Sequence, residues 1–396
     1  MKNAVLFIIA MSLLFTGTSI AQNDDKPTVA FLKWGDLNTV ALAEKGVLDM
    51  LQAYGFINEE ERALISQEKS FNGEKINIIY GDALFDRAQA NVIIEEAIDQ
   101  DADVLVTFTT ALTQIAAYAI ADFSDPPALI FSLVSGPYIT KIADASCVKP
   151  DHVTGTRPVT NYEDIVPLVL MQDPNMKVVG TIYSPDQRAS EVGAGRIKQI
   201  GESLGLTVEV DSIMAAPDLY HAVESLVDRG AEAIIIPIFT FSGFPLLMTL
   251  SYDYGIPVFF SAPPVAYRGG TVGGGFYGIY GQGVIAGRML TGHLNGDIDI
   301  AEIGIFESDD FGYAVNLDTA DLQGVEISQM LLDGAEFVVE NGETAQGVIA
   351  QYPEVNITLP DMTLEERRAA DLAFLAGLEC TAEMIAEQQA ALAASQ

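Results

Sequence analysis

Short apolar runs alternate with amphipathic stretches along most of the chain. The run TVAFLKW predicts a strand, and the stretch TVALAEKGVLDMLQAYG that follows it predicts a helix. One side of that helix is apolar, at Val40, Val47, Leu48 and Leu51. The pair repeats in KINIIYGDA with ANVIIEEAIDQDA, and again in DVLVTFTT with ALTQIAAYAIADF. Continuously apolar strands that alternate with helices predict a parallel sheet covered on both faces.

A second series of strands and helices begins at KVVGTIYSP and runs to IPVFFSAP. The segment between the two series, CVKPDHVTGTRPVTNYEDI, is polar and rich in turn-forming residues, which indicates a hinge. The sequence therefore predicts an α/β fold of two doubly wound parallel-sheet lobes. Residues 22–157 form the first predicted lobe, completed by about 279–304, and residues 158–278 form the second, completed by about 305–325.

Residues 326–396 are predicted to form a helical C-terminal extension. Thr363 and Glu366 have the spacing of a capping box at a helix start. Beyond them an apolar residue recurs every seven positions, at Leu378, Ile385 and Leu392. The pattern predicts one long helix, or two broken near Gly377, docked on its own protein. Docking on a partner or a dimer mate is the alternative.

Residues 1–21 have the layout of a cleavable secretory signal peptide. Lys2 supplies the positive end, Ala4–Phe15 the apolar core, and Ser19–Ala21 the small-residue cleavage site. The apolar core is shorter than the roughly 20 residues that span a bilayer, which disfavours the alternative of an uncleaved anchor helix. No cysteine follows the cleavage site, so no lipid anchor is expected. These features predict a periplasmic protein.

The charge of the chain excludes two classes of partner. Lys and Arg total 20 against 55 Asp and Glu, which gives a formal net charge of -35 at pH 7. A field of this sign repels nucleic acid and anionic lipid, so neither is expected as a partner. Hydrophobic residues make up 49% of the chain, which is enough to build the cores of two lobes.

The chain contains two cysteines, Cys147 just before the hinge segment and Cys380 in the C-terminal extension. In an oxidising compartment such a pair favours a disulfide. The hypothesis is that this bond fixes the extension to the first lobe, and two free thiols are the alternative.

Candidate ligand-binding residues lie where the predicted strands end. In open parallel sheets, ligands bind beyond the carboxyl ends of the strands, where loops and helix N-termini converge. Trp34, the only tryptophan, stands at one such end, on a connection. The other residues that follow predicted strands are Thr109, Thr110, Ser132, Ser135, Gly136, Tyr183, Ser184, Phe239, Thr240 and Ser261. They are predicted to line a cleft between the lobes.

Seven stretches carry a family resemblance through their order and spacing. They are VAFLKWGDLNTVALAEKGVLDMLQAYGF, LVTFTTALTQIAA, PALIFSLVSGPYITKI, HVTGTRP, MKVVGTIYSPDQRASE, AEAIIIPIFT and IPVFFSAP. Over roughly Thr28 to Val325 the chain resembles substrate-binding proteins of ABC transporters, in the family that takes up tryptophan, tyrosine and related small molecules. The resemblance implies a type I periplasmic binding fold, in which two lobes joined by three crossings close on a ligand and meet a membrane permease.

The resemblance also implies which residues meet the ligand. It places the first ligand loop at Trp34, Gly35 and Asp36. The stretch from Thr109 to Ala111 matches a helix start whose backbone N–H groups hold a ligand carboxylate. The stretch SLVSGP matches a cleft segment of pattern S-x-V-T-D-P, which implies cleft positions for Ser132, Ser135 and Gly136.

Two departures from the family pattern affect the expected ligand. Gly136 stands where the family has an acidic residue. Phe239, in PIFT, stands where the family has the aspartate of P-T-D-N, which often meets an amino group. An ordinary α-amino acid is therefore disfavoured. The aromatic residues at or near strand ends and crossings favour a flat or apolar ligand: Trp34, Phe108, Tyr138, Tyr162, Tyr183, Phe239, Phe241 and Tyr267. For Phe108 and Phe241, packing in the flank of a sheet is the alternative.

Arg157 is the best candidate cation near the hinge. Its guanidinium could clamp a carboxylate through two hydrogen bonds. The alternative is a hinge salt bridge to Asp164 or Glu163.

Enzymatic chemistry is not indicated. The histidines are scattered at 152, 221 and 293, with no HExxH motif and no nucleophile elbow. The glycine-rich run GGTVGGGFYGIYGQG lacks the Lys and Ser or Thr that complete a phosphate loop, so no cofactor or metal is predicted. We expect a monomeric solute-binding protein that passes a small ligand to an ABC permease. The alternatives are a periplasmic sensor for a membrane receptor kinase and a small-molecule enzyme on the same fold.

Overall fold

The computed structural model describes residues 26–159, 161–185, 187–237, 243–276, 278–308, 310–344, 347–348 and 356–394. The predicted signal peptide 1–21 and the candidate residues Phe239, Thr240 and Phe241 lie outside the described residues. None of the described helices is both long and apolar enough to cross a membrane.

Sixteen strands lie within the described residues. They are β1 Thr28–Lys33, β2 Phe71–Asn72, β3 Asn77–Asp82, β4 Val104–Phe108, β5 Ala128–Ser132, β6 Val153–Pro158, β7 Val178–Tyr183, β8 Thr207–Ser212, β9 Ala233–Ile236, β10 Val258–Phe260, β11 Val272–Phe276, β12 Phe306–Ser308, β13 Phe311–Asn316, β14 Phe337–Glu340, β15 Glu343–Thr344 and β16 Gly347–Val348.

Fifteen α-helices lie within the same part of the chain. They are α1 Asn38–Ala53, α2 Glu59–Ile65, α3 Arg87–Asp99, α4 Thr110–Ile120, α5 Tyr162–Ile165, α6 Leu168–Gln172, α7 Arg188–Ser203, α8 Leu219–Asp228, α9 Phe244–Tyr254, α10 Pro264–Tyr267, α11 Ile279–Leu294, α12 Leu317–Gln323, α13 Gln329–Gly334, α14 Leu364–Ala376 and α15 Ala382–Ala394.

The strands form two sheets, which confirms the predicted two-lobe α/β fold. The first sheet has the order β12-β6-β5-β4-β1-β3-β2, and the second has the order β16-β15-β14-β13-β11-β10-β9-β7-β8. The predicted parallel pairing holds in the core of each sheet, but several other pairs are antiparallel. Strand β2 is antiparallel to β3, and β13 is antiparallel to β11 inside the second sheet. Both sheets are therefore mixed, with a parallel core.

Within the described residues the chain passes between the two sheets after β6, after β11 and after β12, and helix α14 then returns to the core of the first lobe. Strand β12 pairs with β6 in the first sheet, through Phe306 opposite Thr156. The third crossing therefore follows Ser308, inside the range 305–325 that the sequence assigns to the second lobe. Because β6 and β12 run side by side, two of the crossings leave the first lobe together.

The first sheet is buried on both faces. Along β1, Val29 and Phe31 face a core under α1 and α11, while Ala30 and Leu32 face a second core under α3 and α4. This alternation follows from the two-residue repeat of a strand. Helix α11 lies after the second crossing, so the chain returns to the first lobe to cover this face.

The C-terminal extension begins with the short helix α13 and ends with the helices α14 and α15, but it is not helical throughout. Strands β14, β15 and β16 extend the second sheet, where the sequence predicts helix. Helices α14 and α15 then form the two-helix alternative, separated near Gly377, and the capping box of Thr363 and Glu366 begins α14. Leu375 of α14 belongs to the core of the first lobe. The extension thus docks on its own protein.

The two cysteines are joined in the structure. Cys147 and Cys380 form a disulfide, with their Cα atoms 5.5 Å apart. The bond lies against Gly304, where an added Cβ would be 3.1 Å from one sulfur and 3.3 Å from the other. It therefore fastens the extension beside the segment that leads into β12.

Candidate functional site

The carboxyl ends of four strands of the first sheet lie in register. Lys33 at the end of β1 pairs with Asp82 of β3 on one side and with Phe108 of β4 on the other. Phe108 in turn pairs with Ser132 of β5. Because these strands are parallel, the residues that follow them emerge side by side at one edge of the lobe.

Backbone strain is concentrated at this edge. Four residues other than glycine have positive φ directly after these strands: Leu84 (52°), Phe85 (60°), Thr109 (73°) and Leu133 (59°). A left-handed conformation costs a residue with a Cβ about 1–2 kcal/mol. Such strain persists only where surrounding contacts enforce it, and it clusters at ligand clamps and switch regions. The edge is therefore the strongest candidate for the functional site.

Thr109 adds an unsatisfied polar group to the strain. Its backbone N–H donates to Ser132 O at 3.1 Å, but its buried hydroxyl has no hydrogen-bond partner among the described residues. A buried polar group left unpaired costs about 1–3 kcal/mol. Helix α4 begins at the next residue, Thr110, so the free N–H groups of its first turn are offered to an anion. A carboxylate could satisfy both groups.

Trp34 follows β1 and is partly buried against the core under α3 and α4. The neighbouring Gly35 is in close contact with Phe85, because an added Cβ would lie 2.5 Å from the ring of Phe85. Asp36, the third residue of the predicted first loop, is exposed over 88% of its side chain and lies 3.5 Å from the ammonium of Lys33.

The candidate residues at the end of β5 and just after it differ in burial: Ser132 lies beneath the surface, whereas Ser135 lies on it. The hydroxyl of Ser132 is fully buried and lies 3.2 Å from the hydroxyl of Thr156, so it lies beneath the surface and not in the cleft. Ser135 is exposed. At Gly136 an added Cβ would be 3.8 Å from Thr110 Cγ2, which places this glycine beside the start of α4.

Arg157 forms a salt bridge, but neither predicted acid is its partner. Its guanidinium lies 2.8 Å from the carboxylate of Glu307 on β12 and 4.9 Å from the ring centre of Tyr138. Tyr138 also donates a hydrogen bond to Glu307. The two acids that the sequence suggests are occupied elsewhere: Glu163 by Arg196, and Asp164 by Asn161. Arg157 thus links β6 to β12, the two neighbouring strands from which the chain passes to the second lobe.

Among the described candidate residues of the second lobe, Tyr183 is accessible. Tyr183, the last residue of β7, is partly exposed. The hydroxyl of Ser261 is buried and donates to Ile236 O at 2.9 Å, so it holds the end of β10 against β9. Phe239 and Thr240 fall outside the described residues.

The predicted set of cleft aromatics is partly wrong. Phe108 is fully buried in the core of the first lobe, which confirms the packing alternative. Tyr162 is buried in the second lobe, and Tyr267 packs on Phe337 with ring centres 5.8 Å apart. An aromatic residue at the end of a strand or helix lies near the edge of a sheet, but the direction of its side chain decides whether the ring faces the core. The exposed ring of Phe85 was not predicted; its signal is the apolar pair LF inside the polar loop GDALFDR.

A charged cluster around the buried Lys33, which the sequence did not predict, lies under the first loop. The ammonium of Lys33 is 2.5 Å from Glu68 and 3.3 Å from Asp82. Burial alone would lower the pKa of Lys33, but the hydrogen bond to Glu68 and the surrounding carboxylates raise it. Lys33 therefore stays charged and anchors the base of the loop that carries Trp34.

A cavity of about 290 Å³ lies beside this cluster, between α1, α2 and β3. Glu44 of α1 lines it and accepts a hydrogen bond from the hydroxyl of Tyr80 at 2.9 Å. Burial raises the pKa of Glu44 to about 7, while the Tyr80 hydrogen bond and Lys33 act against the shift and Glu68 and Asp36 add to it. Glu44 is thus half protonated near neutral pH.

This shift predicts a pH dependence of stability. The folded state binds the Glu44 proton more tightly than the unfolded chain, so the stabilisation is complete below about pH 4.5 and is lost as the pH rises through about 7, up to about 3 kcal/mol. Glu44→Gln should be more stable than the parent at pH 8, measured by urea unfolding between pH 5 and 8. The exposed Glu60→Gln is the control. Identical pH profiles for the parent and Glu44→Gln would contradict the assignment.

Within the described part of the chain, no group of three or more His, Cys, Asp and Glu side chains could hold a metal ion. The edge of the first sheet combines a helix N-terminus, a hydroxyl without a partner among the described residues, and apolar rings.

Comparison with known proteins agrees with this architecture. The family model described as ABC transporter substrate binding protein matches residues 62–339. The ABC domain from Streptococcus pneumonia, solved in complex with L-Trp, is 20% identical with a TM-score of 0.65, covering 79% of this chain and 100% of that one. A ligand-free, open substrate binding protein with adhesive properties from Clostridium difficile is 18% identical with a TM-score of 0.64, covering 79% and 99%.

A conserved domain protein from Vibrio cholerae is 19% identical with a TM-score of 0.63, covering 80% of this chain and 100% of that one. No curated protein sequence matches the chain. The structural likenesses show the fold, and the family model covers more than half of the chain. The chain therefore belongs to the ABC transporter substrate binding protein family.

Proposed function

We propose that this chain is a periplasmic solute-binding protein that captures a small aromatic carboxylate between its lobes and delivers it to the membrane permease of an ABC transporter. The family supports the binding role, and the signal-like residues 1–21 support export. The proposal includes a monomer that works without a cofactor.

The observation that carries the proposal is the state of Thr109. It combines a strained backbone, a buried hydroxyl without a partner among the described residues, and a position directly before α4. The strained backbone and the unpartnered hydroxyl both cost stability in the absence of a ligand. A carboxylate that accepts from this hydroxyl and from the first N–H groups of α4 would recover part of that cost.

The proposed ring-binding part of the site consists of Trp34, with Tyr183 across the gap. Both side chains are partly exposed next to strand ends. The Streptococcus pneumonia structure holds L-Trp, which has a flat ring and a carboxylate. The absence of an acidic side chain at Gly136 favours a ligand without an α-amino group. The proposed contacts are Trp34, Gly35, Asp36, Thr109, Thr110, Ser135, Gly136 and Tyr183.

Thermal unfolding with a panel of small carboxylates tests the proposal. The panel contains indole-3-propionate, cyclohexanepropionate, L-tryptophan and L-leucine. We expect indole-3-propionate to stabilise the protein most, by about 2.7 kcal/mol at 100 times its dissociation constant. Stabilisation by none of the aromatic compounds, or chemical conversion of any of them during incubation, would refute it.

The Trp34→Ala variant is expected to bind indole-3-propionate at least about tenfold more weakly, a loss of about 1.4 kcal/mol, because a stacking surface is removed. Its unfolding temperature should stay near that of the parent, since Trp34 is only partly buried. Isothermal titration measures binding, and Tyr220→Ala, an exposed aromatic on α8, is the matched control. Normal binding combined with a much lower unfolding temperature would assign Trp34 to the core.

A further inference from the structure

The loop after β3 holds two apolar side chains in solvent. Leu84 is 70% exposed and Phe85 is 53% exposed, and both have positive φ. Glycine or asparagine usually occupies such positions, because a Cβ is disfavoured there. Backbone strain and exposed apolar surface both oppose folding, and these two consecutive residues combine them. Packing within the described chain therefore does not explain Leu84 and Phe85.

Hydrogen bonds on both sides enforce the strained conformation. The N–H of Leu84 donates to the Asp82 carboxylate at 2.8 Å, and the N–H of Phe85 donates to Trp34 O at 2.8 Å. The N–H of Ala83 donates to Lys33 O at 2.9 Å. The loop is thus tied to the end of β1 and to the first ligand loop.

The ring of Phe85 packs against the loop that carries Trp34. The ring rests on Gly35, where a Cβ would come within 2.7 Å of three ring atoms. Only glycine at 35 admits this contact. One side of the Phe85 ring therefore faces the loop that carries Trp34, and the exposed remainder faces the solvent at the carboxyl edge of the lobe.

We infer that Phe85 is a specificity-determining residue of the ligand site, which together with Trp34 selects a flat ring over a saturated one. The inference rests on the proposed function. A flat ring can stack on both aromatic side chains, whereas a puckered ring of similar size cannot lie flat against them. Packing on Gly35 holds one side of the Phe85 ring in place before the ligand arrives, which reduces the entropy lost when this side chain is ordered on binding.

The test compares the parent with Phe85→Gly, Phe85→Tyr and Asp101→Gly. Asp101 also has positive φ (51°) but lies before β4, at the opposite edge of the sheet. Phe85→Gly should unfold at or above the parent temperature, because strain and exposed apolar surface are both removed. Its preference for indole-3-propionate over cyclohexanepropionate should fall by at least about tenfold. Phe85→Tyr should keep that preference, and Asp101→Gly should leave it unchanged.

Three outcomes would overturn the inference. An unfolding temperature of Phe85→Gly well below that of the parent would make Phe85 a structural residue. If the parent binds indole-3-propionate and Phe85→Gly has the same selectivity as the parent, Phe85 does not determine specificity, and the proposed function is unaffected. Binding of neither probe by the parent would remove the proposed function, and this inference would fall with it.

Discussion

Gly283→Ala is expected to lower the free energy of unfolding by about 3 kcal/mol or more, the upper end of the range for overpacking a core. Helix α11 crosses α1 so closely that a Cβ on Gly283 would lie 1.8 Å from the carbonyl oxygen of Ala43. The Cβ position is fixed by the backbone of α11, and the Ala43 oxygen belongs to the backbone of α1, so neither atom can turn aside as the end of a side chain would. The helices would have to separate, which opens the core under the first sheet.

Gly281→Ala is the matched control two residues earlier in α11. A Cβ there would meet no atom of the described residues within 4 Å. Replacing glycine by alanine in a helix favours the helix by up to about 1 kcal/mol, so this variant should equal or exceed the parent in stability. Urea unfolding measures both variants. Equal stabilities of Gly283→Ala and Gly281→Ala would refute the close helix crossing.

Replacing both Cys147 and Cys380 with serine is expected to cost about 2–5 kcal/mol of stability, the usual range for loss of a native disulfide. The two residues are 233 positions apart, so the bond strongly restricts the unfolded chain. In the folded state it fastens the extension beside Gly304, whose N–H donates to Leu378 O at 2.8 Å. Urea unfolding of the oxidised parent and the double variant measures the difference.

A reductant supplies the control for this prediction. Dithiothreitol should lower the stability of the parent to that of the double serine variant and should not affect the variant itself. The extension should be the first part released, since α15 has no buried residue and its anchor is lost. Limited proteolysis would then cut near α15 before it cuts either lobe. A parent that unfolds identically with and without dithiothreitol would contradict the role of the bond.

Local patterns were sufficient to predict most elements of the fold. The apolar run of β1 and the one-sided apolar pattern of α1 specify their elements because strand and helix repeats differ. The sequence did not indicate that β13 is antiparallel inside the second sheet. An antiparallel strand has the same apolar pattern as a parallel one, so its direction depends on where the third crossing places the chain.

The candidate site was also predictable only in part: the sequence indicates which residues follow a strand, but not where their side chains point. The positions of Trp34 and Thr109 after strands follow from the sequence, because a strand end is visible as the end of an apolar run. The direction of a side chain is not visible in this way. Phe108 and Ser132 end their strands too, yet both point into the protein, because both faces of the first sheet are covered.

Short-range periodicity in the sequence was enough to specify the two-lobe α/β class, the helical end of the extension, and the edge of the first sheet where a ligand is expected. It could not specify the partner of Arg157, since Glu307 is 150 residues away and reaches it through the pairing of β6 with β12. The strain at Phe85 and Thr109 is visible in the folded protein alone, because backbone angles in loops are fixed by hydrogen bonds between distant segments.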